Sequence, residues 1–139
     1  MHNIIIDTNV FVSSLIQKSY PYRIVYELFI EDKIQICTSE KLLYEYCEVL
    51  HRPKFSIYKD FLVRAETLLT AIMLKSKKFT PEIELDIISD KKDNMLLELA
   101  DICSADFLIT GNTNDFTFSK YKETKIITPK EYWDNYQYS

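Results

Sequence analysis

Acidic and amide side chains recur where an apolar stretch ends or would otherwise continue. Asp7 closes the run Ile4-Ile5-Ile6, and Asn112 and Asp115 follow Phe107-Leu108-Ile109-Thr110-Gly111. Glu45 borders the stripe of Leu42, Leu43, Tyr46, Val49 and Leu50, while Glu48 points away from it. Asp93 lies inside a stripe, because with Leu96, Leu97 and Ala100 it completes the spacing i, i+3, i+4, i+7. Singly, each position has an ordinary explanation. Asp7 suits a helix cap, Asp93 can reach back toward Ser89 or Asp90, Glu45 can be a solvated neighbour, and the 112–115 segment uses common turn residues. Asp93 resists this most, since desolvating a lone carboxylate costs several kcal/mol.

Jointly they say more. Carboxylates about 4 Å apart repel by about 4 kcal/mol per pair at an effective dielectric near 20. A cluster of them therefore persists only when protonated or bound to cations. Oxygen-only ligation selects Mg²⁺ or Mn²⁺, one ion or two, over zinc. Such ions ionise a water, neutralise a phosphodiester and stabilise its leaving oxygen. The corresponding chemistry is phosphodiester hydrolysis.

The elements needed to gather these residues follow from periodicity. Short β-branched or apolar runs predict strands at Asn3–Ile6, Ile34–Cys37, Phe107–Ile109 and Lys125–Ile127, with a weak strand at Ile83–Leu85. Helical spacing covers Asn9–Ile16, Tyr22–Glu31, Glu40–His51, Ser56–Lys78 and Lys92–Ser104. Thr128-Pro129 opens a short last helix. Alternation of this kind predicts a parallel α/β sheet with helices on both faces, and ligands at the carboxyl ends of its strands. Asp7, Glu45, Asp93 and the 112–115 turn all fall at that edge.

Composition sets the limits. The chain has 139 residues, 47% hydrophobic and 27% charged, which suits one domain over residues 1–139. Its single glycine, Gly111, excludes Walker A and Rossmann phosphate loops. Cys37, Cys47 and Cys103 form no CxxC pair and read as core thiols in a reducing, cytoplasmic setting. No signal peptide or run of about 18 apolar residues is expected to direct the chain into a membrane. A net charge of −4 argues against a broad basic surface for nucleic acid. A bound divalent ion would reverse the field locally.

With these residues in place, the chain resembles the PIN-domain family, in particular small prokaryotic, VapC-like members described as toxins of toxin–antitoxin pairs. The resemblance rests on Ile4 to Ser13, Ser39 to Phe55 with Arg52-Pro53-Lys54-Phe55, Asp90 to Ala100, Ala105 to Asn112, and Ile126 to Tyr132. It implies a three-layer α/β/α sandwich whose central parallel sheet has about four to five strands, and a metal-dependent ribonuclease. By motif match Asp7, Glu45 and Asp93 are the first three acids. Asp7 and Asp93 would hold the metal, and Glu45 would position or deprotonate the attacking water. The chain departs from the family at the fourth place, where Asn112 stands in the usual acid position and Asp115 follows three residues on. Both are candidate metal ligands. Asp90 is an auxiliary candidate, and Thr8 and Asn9 are candidates to orient Asp7.

Arg52, Lys54, Lys91 and Lys92 are the candidate RNA contacts, and Tyr44, Tyr46, Tyr132 or Trp133 could stack on a base. Partners implied are RNA, an antitoxin protein and a second copy of the chain, with helix faces at Tyr22–Phe29 and Phe61–Met73 available for a dimer. Two rivals follow. One is a PIN-like binding module weakened in catalysis by Asn112. The other is a haloacid-dehalogenase-like phosphohydrolase, disfavoured because Asn9 occupies the place of its second aspartate.

Overall fold

A computed structural model describes residues 1–138 of the chain. Ile4, Ile5 and Ile6 are wholly buried, so β1 (Asn3–Ile6) is the middle of the molecule and needs no polar face. β2 (Gln35–Thr38) lies parallel on one side of it and β4 (Phe107–Ile109) parallel on the other. β3 (Lys77–Lys78) extends the sheet beyond β2, while β6 (Thr124–Ile127) continues it parallel to β4. β5 (Lys120–Tyr121) pairs antiparallel with β6 at the edge. The order is β3-β2-β1-β4-β6-β5, six strands in a mixed sheet of an α/β/α sandwich. This exceeds the four to five parallel strands expected, because β3 and β5 are two-residue edges too short to carry a period.

From β1 the chain runs outward through β2 to β3, then crosses back to β4 on the other side of β1, so the sheet has its switch point between β1 and β4. In open α/β sheets a crevice forms there, at the carboxyl ends of the strands.

The helices match the sequence pattern except where local chemistry interrupts it. α1 (Thr8–Ile16) and α3 (Glu40–Leu50) run as expected, and the Ser39 hydroxyl caps α3 by accepting the Leu42 amide at 3.2 Å. The expected helix over 22–31 is α2 (Tyr20–Arg23) passing into a π-helical turn over Ile24–Phe29. Its Ile24, Val25, Leu28 and Phe29 are buried, so that face is spent on the core rather than left for a dimer. The long helix expected from Ser56 to Lys78 is broken at Asp60, whose φ of 58° is left-handed. A 3₁₀ turn covers Pro53–Ile57, and α4 runs over Phe61–Lys75.

The weak strand expected at Ile83–Leu85 is absent. Residues 79–90 are irregular, and buried side chains of α5 (Lys91–Cys103) take up backbone groups that a strand would have paired. Glu98 accepts the Leu85 amide at 2.8 Å, and Asn94 accepts the amides of Ile87 and Ile88 at 3.1 Å. α6 (Pro129–Asn135) begins with a capping box between Thr128 and Glu131. Of the cysteines, Cys37 is buried and Cys47 and Cys103 half-buried.

Candidate functional site

The end of β1 is fixed from two directions. The Asp7 amide donates to the Ile109 carbonyl of β4 at 3.0 Å, and the phenol of fully buried Tyr46 on α3 donates to the Ile6 carbonyl. Phe11 of α1 packs edge-on against the Tyr46 ring, with centroids 4.9 Å apart. Pinning Tyr46 there brings its neighbour Glu45 over the start of α1.

Each acid then has a defined surrounding. Asp7 makes no capping hydrogen bond to α1; its carboxylate accepts the Thr110 hydroxyl at 2.7 Å instead. Thr110 also accepts the Asn112 amide at 3.1 Å through the same hydroxyl. Glu45 accepts the hydroxyl of Thr8 and stands 3.6 Å from the Lys92 ammonium, with a side chain 12% exposed. Asp90, not Asp93, caps α5, accepting the Lys92 amide at 2.8 Å. Asp93 is 7% exposed, and its Oδ2 is a buried polar atom with no hydrogen-bond partner. Buried polar atoms are almost always paired, so an orphaned carboxylate oxygen is a strong local signal.

The electrostatics tie these groups together. Burial first, and then the charges of Asp90, Asp7, Asp115 and Glu45 in that order of effect, together raise the Asp93 pKa from 3.8 to about 6. Burial is also the main cause raising Asp7; the hydrogen bond from Thr110 and, less, the nearby Thr8 backbone amide oppose it, while the charges of Glu45 and Asp115 add to it. The charges of Glu45 and Asp115 thus reach both Asp7 and Asp93, although the four residues come from separate parts of the chain. Among the described residues no three His, Cys, Asp or Glu side chains form a ready cage for a metal. Thr110, Thr8 and Lys92 hold Asp7 and Glu45 in the meantime. An all-oxygen donor set with one buried, unpartnered carboxylate oxygen fits a hard divalent ion.

The remaining candidates separate. Asn112 and Asp115 are exposed on the turn after β4, and the Asp115 charge reaches both Asp7 and Asp93. Thr8, expected to orient Asp7, serves Glu45, and the orienting hydroxyl for Asp7 is that of Thr110. Asn9 is exposed, with no side-chain hydrogen bond to Asp7 among the described residues. Lys91 and Lys92 are exposed at the start of α5, and with Glu45 and Arg52 they line one groove. Arg52 is paired with Glu48 at 2.9 Å, and Lys54 lies over the Phe55 ring, 5.2 Å from its centroid. Of the aromatic candidates, Tyr46 and Tyr132 are fully buried and Trp133 half-buried, whereas Tyr44 is 75% exposed.

Sequence reasoning missed Thr110, Asn94 and Glu98. The last two carried a signal, since polar residues one and five positions after Asp93 also fall among the apolar residues of α5.

A family model for the PIN domain matches residues 3–114. An uncharacterized protein of Methanocaldococcus jannaschii, MJ1680, is 29% identical over 142 aligned positions, covering 96% of this chain and 91% of that protein. The sheet order, the acids at its switch point and the match over most of the chain agree: the protein belongs to the PIN-domain family and has its nuclease-type fold.

Proposed function

We infer that this PIN domain is a metal-dependent endoribonuclease that hydrolyses cytoplasmic RNA. The observation that carries the reading is the buried, unpartnered Oδ2 of Asp93 in the shared field of Asp7, Glu45 and Asp115. Asp7 and Asp93 would hold Mg²⁺ or Mn²⁺, with Asp115 and the Asn112 amide as further oxygen donors. When bound, one or two such ions supply an activated water and neutralise charge on the scissile phosphate.

The chain's own groups do the rest. Thr110 keeps the Asp7 carboxylate turned toward the crevice. Glu45 orients the attacking water and accepts its proton, for which its Thr8 bond fixes the carboxylate. Lys92, paired with Glu45 in the free protein, is placed to turn to a phosphate, as are Lys91, Lys54 and Arg52.

The same reading assigns the protein to the toxin side of a toxin–antitoxin pair, with an antitoxin protein as partner. A homodimer would use α4, whose Leu62, Val63, Met73 and Leu74 are exposed.

Cleavage of a single-stranded RNA with Mn²⁺ titrated into nuclease-free protein tests the activity. Wild type is expected to cut and Asp93→Asn to lose about 100-fold or more with an unchanged circular dichroism spectrum. Equal cleavage by the two proteins, or none by wild type, contradicts the reading and favours a binding module.

A further inference from the structure

The groove that holds Glu45 and Lys92 does not end there. Its near section, about 840 Å³, is lined by Arg52, Lys91 and Lys92. A second hollow of about 820 Å³ adjoins it, and Lys41, Tyr44, Glu84, Met95 and Glu98 belong to both. The chemistry changes across that border. Tyr44, Phe79, Pro81, Ile83 and Met95 wall the far hollow, and Glu40, Glu82 and Glu84 stand at its rim. Lys41 is the one cation among the described residues lining it.

Apolar walls under an acidic rim accept a neutral flat ring and repel a phosphate. Tyr44 stands immediately before Glu45 on α3, with 75% of its surface open. The opposite wall, residues 79–84, is anchored at both ends, because the Phe79 amide donates to the Thr38 carbonyl at 2.8 Å and the Leu85 amide to Glu98 at 2.8 Å. A preformed wall lowers the ordering cost of binding.

We propose that the hollow is a base pocket: a nucleotide beside the scissile phosphate turns its base out of the strand and lays it on the Tyr44 ring. Met95 and Phe79 close over the base, while the adjoining phosphates remain over Arg52, Lys91 and Lys92. The balance of charge points to the occupant, since the near section sets four cations against five acids, whereas the far hollow sets one cation against four acids and is the less hospitable of the two to a phosphate. The role as a specificity pocket rests on the ribonuclease reading. A base leaves a single strand more easily than a duplex, so the preferred substrate is single-stranded RNA.

Binding of a fluorescein-labelled single-stranded RNA octamer of mixed sequence, measured with EDTA present, tests the pocket independently of cleavage. Tyr44→Ala is expected to weaken binding about tenfold, and Tyr44→Phe, which keeps the ring, to stay within about twofold of wild type. Asn135→Ala on α6, an exposed residue that lines neither hollow, should bind as wild type does. A blunt duplex of the same sequence should bind more weakly than the octamer and be indifferent to Tyr44→Ala. The proposal is overturned if the octamer does not bind wild type, if Tyr44→Ala binds it unchanged, or if Tyr44→Phe loses as much as Tyr44→Ala. An octamer held through Tyr44 but left uncut with Mn²⁺ would leave the pocket standing and remove the ribonuclease. Cleavage that ignores Tyr44→Ala, with binding unchanged, would do the reverse.

Discussion

β1 and β4 run side by side, and their two ends have been solved in opposite ways. At the start of the pair, Asp106 accepts the Asn3 amide at 2.8 Å, and His2, Phe107 and Tyr132 pack edge to face, with His2 Nδ1 2.8 Å from the Tyr132 hydroxyl. The polar groups there have partners. At the other end, Asp7, Glu45, Asp93 and Asp115 repel one another, and Asp93 keeps an oxygen with none. Both ends have acids beside strand backbone, so acidity alone does not mark a site. What marks it is an unmet electrostatic demand at the place where the sheet order reverses.

Removing that demand should have the largest effect. Asp93→Asn is expected to abolish cleavage yet raise the melting temperature of metal-free protein by a few degrees, since a buried charge and its repulsions disappear. Lower stability in the variant would show that Asp93 is a structural partner after all.

The pH dependence sharpens the same contrast. The folded pKa of Asp93 lies near 6 against 3.8 for the free group, so the folded state binds more protons in between. Its destabilisation is absent below about pH 4, grows as pH rises through 6, and reaches on the order of 3 kcal/mol at neutral pH. Asp7 shifts in the same direction. Denaturant unfolding of metal-free wild type and Asp93→Asn should therefore agree at pH 4 and diverge at pH 7.5, with the variant more stable. A constant difference across that range would remove the electrostatic account.

Thr110→Val tests the hydroxyl that holds Asp7. A loss of about tenfold or more in divalent-ion affinity or activity is expected with a small change in fold stability, measured by titration and by melting. At the opposite end of the strands, Tyr132→Phe removes the bond to His2, with about 1 kcal/mol lost from stability and cleavage left as in wild type. An activity loss in Tyr132→Phe would blur the division between the two ends.

Much of this was legible in the sequence. β4 was placed at its observed residues, and Asp93 stood out because a charge inside a helical apolar stripe has few innocent reasons. Glu45 was harder, since a stripe border predicts exposure as readily as approach to a crevice; only the long-range bond from Tyr46 to Ile6 decides its position. Thr110 could not have been assigned to Asp7, nor Thr8 to Glu45, because nothing local links hydroxyls and acids from different elements. The segment over residues 79–90 misled for a related reason. Its apolar residues suggested a strand, but its backbone groups are answered by Asn94 and Glu98 rather than by another strand.

The central claim is that these carboxylates are gathered to hold a divalent ion. Calorimetric titration of Mn²⁺ into metal-free protein at pH 7.5, with melting followed in parallel, measures it directly. Saturable binding that raises the melting temperature of wild type, and is absent or much weaker in Asp93→Asn, is the predicted result. Neither heat nor a melting shift at millimolar Mn²⁺, or the same binding in both proteins, would contradict it.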